Sequence, residues 1–213
     1  MPRANNGQVA LEYEVFGAPD APAILLINGL GSQMTRWPED FCAVLTARGY
    51  RVIRFDNRDT GLSTWFKPGD AYRLEDMAAD AMAVLDAVGV DKAHVAGVSM
   101  GGMISQVVAA DYPHRTLSLT SIMSSSSAPG LPEATPRAMA VLTQAAPDPV
   151  AEPDAYVAHA VENALVIGSP AYPWPDGALA ERAIDEAARA FNPTGSNRQM
   201  RAVGATGGGN PAQ

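Results

Sequence analysis

One five-residue pattern has the residue types and the spacing for nucleophilic chemistry. Gly97-Val98-Ser99-Met100-Gly101 reads G-x-S-x-G, a serine with glycine two residues away on either side. The stretch before it, Lys92 to Val98, is apolar and β-branched like a buried strand, and Met100 to Tyr112 is helical in pattern. We therefore predict that Ser99 lies at a sharp strand-to-helix turn, where its hydroxyl is a candidate nucleophile.

The glycines of this pattern have a physical purpose in such a turn. A nucleophile there sits in a strained backbone conformation with positive φ, so the residues two before and two after it crowd each other. Gly97 and Gly101 meet that need, and Gly102 lets the helix approach the sheet closely. The start of a helix also favours negative charge. A glycine-rich turn with an incidental serine is the competing interpretation.

The elements that would position Ser99 alternate between strands and helices. Strands are predicted at Gln8–Val15, Ala23–Ile27, Arg51–Phe55, Lys92–Val98 and Leu117–Met123, and helices at Glu39–Arg48, Leu74–Val88 and Met100–Tyr112. This alternation predicts an α/β fold, a mostly parallel sheet with helices on both faces.

The character of the chain changes after Met123. Prolines become frequent, no strong strand pattern remains, and helices are predicted at Arg137–Ala145, Ala155–Val166 and Leu179–Phe191. We therefore predict three regions: a core at 1–127, a helical cap at 128–205 inserted after the sixth strand, and a loop at 206–213 that leads to further strands.

Three segments resemble those of the α/β-hydrolase superfamily. Asn28-Gly29-Leu30-Gly31 resembles the family's H-G-x-G loop after the third strand, and Asp56 to Ser63 resembles its D-x-R-G-x-G-x-S loop. The segment from His94 to Met103 resembles the turn that carries the nucleophile. The last two segments are most similar to aclacinomycin methylesterase-like serine esterases. The resemblance covers residues 8 to 127 well and the cap loosely.

The resemblance implies a role for each matching residue. Ser99 would be the nucleophile, and the backbone N–H groups of Met100 and Leu30 would form the oxyanion hole. Gly29 would support the turn together with Gly97 and Gly101. Asn28 stands where the family usually has histidine. The resemblance implies no cofactor and no metal.

A serine of this kind needs a histidine base and a carboxylate that orients it, in the chain order serine, acid, histidine. His94 lies five residues before Ser99 on the same strand, ~16 Å away at ~3.3 Å per residue. His114 lies beyond the far end of the following helix, ~20 Å away. His159 falls in the cap, where spacing does not decide its role. We therefore expect this chain to be the N-terminal piece of a longer enzyme, with a second polypeptide that supplies the acid and the histidine.

Composition excludes several other functions. The net charge is −8, from 23 acidic and 15 basic residues, which argues against nucleic-acid and anionic-membrane partners. The single cysteine, Cys42, cannot form an internal disulfide and is expected to be inert packing. Three histidines and one cysteine are too few for a zinc site built from those residues alone. The N-terminal residues lack the apolar stretch of a signal peptide, so a cytoplasmic location is expected.

Large apolar side chains are candidate walls of a substrate pocket above Ser99. The candidates are Met34, Trp37, Met103, Met123 and Trp174, for which ordinary packing is the competing interpretation. Arg58 and Asp59 would either touch substrate or form a structural ion pair. The expected activity is hydrolysis of a small carboxylic ester. A lactonase or cofactor-free haloperoxidase on the same fold, or a non-catalytic module that binds small molecules, are the alternatives.

Overall fold

The computed structural model describes residues 2–132 and 134–206, and its first part is built on one six-stranded sheet. The strands run β1 Arg3–Asn6, β2 Val9–Phe16, β3 Ala23–Ile27, β4 Arg51–Phe55, β5 Ala93–Val98 and β6 Thr116–Ile122. Their order across the sheet is β1-β2-β4-β3-β5-β6. The pairs β1–β2 and β2–β4 are antiparallel, whereas β4–β3, β3–β5 and β5–β6 are parallel.

Seven α-helices accompany the sheet in the part of the chain that the structure describes. They are α1 Glu39–Thr46, α2 Leu74–Ala87, α3 Met100–Asp111, α4 Pro136–Thr143, α5 Pro153–Ile167, α6 Ala178–Arg189 and α7 Gly195–Thr206. The predicted α/β class with a mostly parallel sheet is confirmed. Sequence patterns did not indicate β1 or α7. No helix in the described ranges combines the length and the apolar character that crossing a membrane requires.

The strands bury alternate side chains on the two faces of the sheet, as a period of two residues requires. Leu25 and Ile27 of β3 belong to the main core cluster, which also contains Met77 and Leu85 of α2. Leu26, between them, belongs to a second cluster, which is formed with α1 on the other face. Helices therefore cover both faces, and the main core lies beneath α2 and α3.

The described chain divides into two compact units. The first contains residues up to Ala128 and resumes at Thr194, and the second runs from Pro129 to Pro193. The predicted cap at 128–205 therefore extends too far at its C-terminal end, because α7 packs Ala202 into the main core cluster of the first unit. Thr206 ends α7, and the rest of the predicted loop at 206–213 lies outside the described residues.

The sheet ends at β6, which pairs with β5 alone among the described strands. Three of its apolar side chains are at least 40% exposed, namely Leu117, Leu119 and Ile122. The free edge of β6 thus combines unpaired backbone groups with apolar side chains, a combination typical of a strand that another strand covers.

Candidate active site

Ser99 occupies a strained turn between β5 and α3. Its φ of 56° and ψ of −121° lie outside the conformations that residues with side chains ordinarily adopt. The Ser99 N–H donates to the Ile122 carbonyl at 2.9 Å, and the Ser124 hydroxyl donates to the Ser99 carbonyl at 2.7 Å. Ile122 at the end of β6 and Ser124 just after it therefore bind the N–H and the carbonyl of Ser99. These two hydrogen bonds stabilise the strained backbone conformation of Ser99.

Glycines allow this turn to form, although Gly101 does so for a different reason from the one predicted. A Cβ at Gly97 would lie closer than 3.0 Å to the Gly101 backbone, as expected for crowding across the turn. A Cβ at Gly101, however, would collide with the backbone carbonyls of Ile27 and Asn28 at the end of β3. Gly101 is thus required for close packing of α3 against the neighbouring strand.

Gly101→Val is expected to destabilise the chain by about 3 kcal/mol or more, because the clash is with backbone that has no alternative rotamer. Chemical denaturation followed by circular dichroism measures this change. Gly204→Ala is the control, since a Cβ at this helical position meets nothing within 4 Å. A Gly101→Val chain as stable as the Gly204→Ala chain would contradict the packing described here.

A tight turn after β3 lies against the Ser99 side chain. The Ser32 N–H donates to the Gly29 carbonyl at 3.2 Å, which closes a β-turn with Leu30 and Gly31 at its centre. Gly31 has φ of 61°, a value that favours glycine at this position. A Cβ at Gly29 would stand 3.2 Å from the Ser99 Cβ and 3.7 Å from its Oγ. We call the turn from Gly29 to Ser32 the oxyanion turn, after the role predicted for its Leu30 N–H.

Two backbone N–H groups near Ser99 are available to a ligand. Within the described ranges, neither the Leu30 N–H nor the Met100 N–H donates to a protein acceptor. Met100 is the first residue of α3, where an N–H group has no partner within the helix. This arrangement is suited to stabilising the negative oxygen of a tetrahedral intermediate.

Asparagine and aspartate side chains tie the oxyanion turn to the loop after β4. The Asn28 amide donates to the Gln33 carbonyl at 3.0 Å, and the Asn57 amide donates to the Asn28 carbonyl at 3.0 Å. The buried Asp56 carboxylate accepts the Met34 N–H at 2.7 Å. Asn28, at the usual histidine position, therefore stabilises the loop from within.

Arg58 and Asp59 form structural ion pairs with different partners. Arg58 Nε lies 2.6 Å from Asp80 Oδ2, and both side chains are buried. Asp59, with φ of 66°, accepts two hydrogen bonds from Arg198 at 2.8 and 2.9 Å and one from the Tyr72 hydroxyl at 2.8 Å. Burial, with the Asp59 carboxylate beside it, raises the pKa of Tyr72 well above its ordinary value. Tyr72 is therefore a neutral donor.

Arg198→Met is expected to destabilise the chain by about 3 kcal/mol, because it removes two charge-assisted hydrogen bonds from the buried Asp59 carboxylate. The double variant Asp59→Asn with Arg198→Met is expected to be more stable than Arg198→Met alone, since it no longer buries a charge at position 59. Urea denaturation of the three chains measures both differences. A loss below about 1 kcal/mol for Arg198→Met, the range of exposed pairs, would contradict a buried ion pair.

Helix α7 supplies a second buried contact, which the sequence patterns did not reveal. Gln199 is fully buried, and its amide nitrogen donates to the Arg58 carbonyl and to the Thr60 hydroxyl, both at 2.8 Å. Its Oε1 accepts the Gly31 N–H at 2.7 Å. One side chain thus joins α7, the loop after β4 and the oxyanion turn. The candidate N-cap Thr194 after Pro193 was the available sequence signal for α7.

Comparison with known proteins places this geometry in a family. A family model described as the alpha/beta hydrolase fold matches residues 22–157, more than half of the chain. The chain belongs to the α/β-hydrolase fold family. The resemblance inferred from the three sequence segments is confirmed at this level.

Two curated α/β-hydrolase relatives match half of the chain or slightly more. Rhodomycin D methylesterase DnrP from Streptomyces peucetius is 43% identical over 116 residues, 54% of this chain and 39% of the relative. The 3-oxoadipate enol-lactonase 2 from Acinetobacter baylyi is 35% identical over 107 residues, 50% of this chain and 39% of the relative. The matched residues therefore span about two-fifths of the length of these relatives.

Solved structures match nearly all of the chain. A hydrolase from Pseudomonas aeruginosa PA01 superposes with a TM-score of 0.65 at 26% sequence identity. The superposition covers 94% of this chain and 70% of the hydrolase chain. The enol-lactonase from Burkholderia xenovorans LB400 gives a TM-score of 0.70 at 24% identity, with coverage of 96% and 74%. The enol-lactonase match indicates a shared fold.

The described histidines of this α/β-hydrolase chain do not complete a triad in the first unit. His94 lies five residues upstream of Ser99, and its ring shares a hydrogen bond of 2.8 Å with the Ser118 hydroxyl on β6. His114 lies beyond the C-terminal end of α3 and is exposed. His159 belongs to the second unit, where its Nε2 shares a hydrogen bond of 3.0 Å with the Asn163 side chain.

The predicted pocket residues lie in several different environments. Met34 is fully buried, Trp37 packs against the second core cluster, and Met103 packs against the main cluster. Met123 is 67% exposed at the end of β6, and Trp174 lies in the second unit with the Arg182 guanidinium 4.6 Å from its ring centre. Trp37 and Met103 thus pack against different core clusters, and their role in a substrate pocket stays a prediction.

Cys42 lies at the second cluster and is not a competing nucleophile. Its side chain is fully buried in a cluster with Leu26 of β3 and Val52 of β4, and burial raises the pKa of its thiol. A buried thiol with a raised pKa has little thiolate character, so its predicted role as inert packing agrees with its surroundings.

Proposed function

We propose that this chain carries the nucleophile of a serine hydrolase that cleaves small carboxylic esters. The observation that carries the proposal is Ser99 at positive φ with the oxyanion turn beside it and two unengaged N–H groups. In family members, a strained nucleophile next to such donors performs acyl transfer. The methylesterase relative from Streptomyces peucetius supports an ester as the substrate class.

The proposed reaction proceeds through an acyl-enzyme on Ser99. The Ser99 Oγ attacks the carbonyl carbon while its proton passes to a histidine, and the oxyanion accepts hydrogen bonds from the Leu30 and Met100 N–H groups. The histidine then gives the proton to the leaving alcohol as the ester bond breaks. A water molecule attacks the acyl group in the same way and releases the carboxylic acid and Ser99.

The histidine and its acid are proposed to come from a separate polypeptide that pairs in parallel with β6. The free edge of β6 with its exposed Leu117, Leu119 and Ile122 is the surface that would receive the next strand. In this fold the acid and the histidine follow the nucleophile along the chain. Such a polypeptide is called the completing segment, and its complex with this chain the completed enzyme.

A lactonase is the second candidate function, favoured by the enol-lactonase relative from Acinetobacter baylyi. A lactone is a cyclic ester, so the same nucleophile and the same oxyanion donors serve both reactions. The substrate class then depends on the pocket around Ser99.

Hydrolysis by the completed enzyme tests the proposal. The C-terminal part of the Streptomyces peucetius methylesterase is a practical source of a completing segment, since the matched part of that relative is 43% identical to this chain. Release of p-nitrophenol from short p-nitrophenyl esters is expected, and ring opening of simple lactones at a higher kcat/KM would select the lactonase. Binding of esters and lactones without turnover would support the non-catalytic alternative.

A further inference from the structure

Helix α7 contacts the oxyanion turn through one buried side chain that the proposed reaction does not use. Gln199 has no exposed surface, and its three hydrogen bonds measure 2.7, 2.8 and 2.8 Å. Two of the bonds reach the loop after β4, and the third reaches the oxyanion turn after β3. A buried amide whose oxygen and nitrogen both have partners adopts one orientation, because any other would leave a polar atom unsatisfied.

We propose that Gln199 is the positioning residue of the oxyanion turn. This inference rests on the proposed function, because it assigns a purpose to the turn in acyl transfer. The Gly31 N–H belongs to the peptide at the centre of the turn, between Leu30 and Gly31. Types I and II of the β-turn differ in the orientation of this central peptide, so the hydrogen bond to Gln199 Oε1 selects one of them.

The hydrogen bond to Gln199 holds the side of the turn that follows Leu30. Rotation of the central peptide would change ψ of Leu30 and φ of Gly31, whereas the Leu30 N–H, the proposed oxyanion donor, belongs to the preceding peptide. Gln199 therefore acts on the Leu30 donor by fixing the position of the turn and not by re-orienting its N–H. The turn is also held by Asn57, which donates to the Asn28 carbonyl on its N-terminal side. Gln199 holds the C-terminal side of the turn. Both contacts depend on the loop after β4, because Asn57 belongs to that loop and the Gln199 amide donates to its Thr60 hydroxyl and Arg58 carbonyl.

Gln199 belongs to the part of the first unit that follows the second unit in sequence. The chain leaves the first unit after Ala128 and returns at Thr194, five residues before Gln199 in sequence. The oxyanion turn is therefore held from both sides only when α7 has packed against the earlier residues of the first unit. Residues up to Ala128 include Ser99 and both proposed oxyanion donors. They do not include Gln199, the side chain proposed to position the oxyanion turn.

Hydrogen exchange of the Gly31 amide tests the proposal on the 213-residue chain and needs no catalysis. Gly31 is an exposed residue, so slow exchange of its N–H reports the bond to Gln199. In the native chain we expect this amide to exchange at least ~100-fold more slowly than in an unstructured peptide. Exchange at the peptide rate would overturn the proposal without any variant.

Variants at position 199 separate positioning from general stability. Gln199→Met is expected to accelerate Gly31 exchange at least about tenfold, the size of one lost hydrogen bond. Gln199→Glu keeps an oxygen acceptor for Gly31 and is expected to retain more protection than Gln199→Met. Arg198→Met is the matched control on the same helix, because its contacts with Asp59 and Thr194 do not include the turn.

Exchange of the Gly31 amide is expressed relative to exchange of the Ser99 amide, which donates to the Ile122 carbonyl, so that the loss of overall stability in Arg198→Met cancels. Equal relative acceleration in Arg198→Met and Gln199→Met would overturn the proposal, since Gln199 would then act only by holding α7. In the completed enzyme, Gln199→Met is expected to lower kcat about tenfold and to leave KM within about twofold, because the oxyanion forms only in the transition state. A rise in KM at unchanged kcat would contradict positioning. A completed enzyme without any activity would instead count against the proposed function, while the exchange result on the chain would still decide the role of Gln199.

Discussion

Ser99→Ala is expected to lower kcat of the completed enzyme toward p-nitrophenyl esters by on the order of 10⁵-fold or more, the scale for loss of a serine nucleophile. The hydroxyl oxygen forms the bond to the acyl carbon, and no neighbouring group replaces it. The fold is expected to survive, because the backbone of Ser99 makes the hydrogen bonds to Ile122 and Ser124. Burst and steady-state release of p-nitrophenol measure the effect.

Ser126→Ala is the matched control for this prediction. Ser126 is an exposed serine of the segment after β6 and is not part of the turn that carries Ser99. Its alanine variant is expected to keep kcat within about twofold, as for most exposed substitutions. A Ser99→Ala enzyme with kcat within tenfold of the unchanged enzyme would remove Ser99 from the mechanism.

The 213-residue chain by itself is expected to be inactive toward esters, and addition of the completing segment is expected to restore turnover. A general base must come within ~2.6–3.2 Å of the serine oxygen, and neither His94 nor His114 is placed to do so. Expression of the chain with and without the segment, followed by the p-nitrophenyl ester assay, measures the difference.

A control segment with its catalytic histidine replaced by alanine distinguishes chemistry from stabilisation of the sheet. It is expected to cover β6 and to improve solubility without restoring turnover. An isolated chain that is soluble, monomeric and hydrolyses esters at an ordinary rate would contradict the need for a second polypeptide. His159 in the second unit would then be the leading candidate for the base.

The elements that position Ser99 could be predicted because their patterns are local. The apolar alternation of β3, β4 and β5 and the one-sided apolar stripe of α2 predicted these elements to within a few residues. The glycines around Ser99 predicted its positive φ, because only small residues fit such a turn. These features depend on neighbours in sequence.

The contacts that hold the oxyanion turn could not be predicted in the same way. Helix α7 is polar in composition and contains Gly195 and Gly204, two residues of low helix propensity, so its sequence resembles a loop. The bonds from Gln199 to Gly31 and from Arg198 to Asp59 join residues more than 100 positions apart. The role of Gly101 was misassigned for a related reason, since its contact is with another strand.

Covalent labelling of the completed enzyme with a fluorophosphonate tests directly whether Ser99 is the nucleophile. The reagent phosphonylates an activated serine with loss of fluoride, and the resulting mass increase is located by peptide mapping. We predict one label on Ser99, its loss in Ser99→Ala, and its retention in Ser126→Ala. A label on another serine, or a completed enzyme that takes up no label while its sheet is intact, would contradict the assignment of Ser99 as the nucleophile.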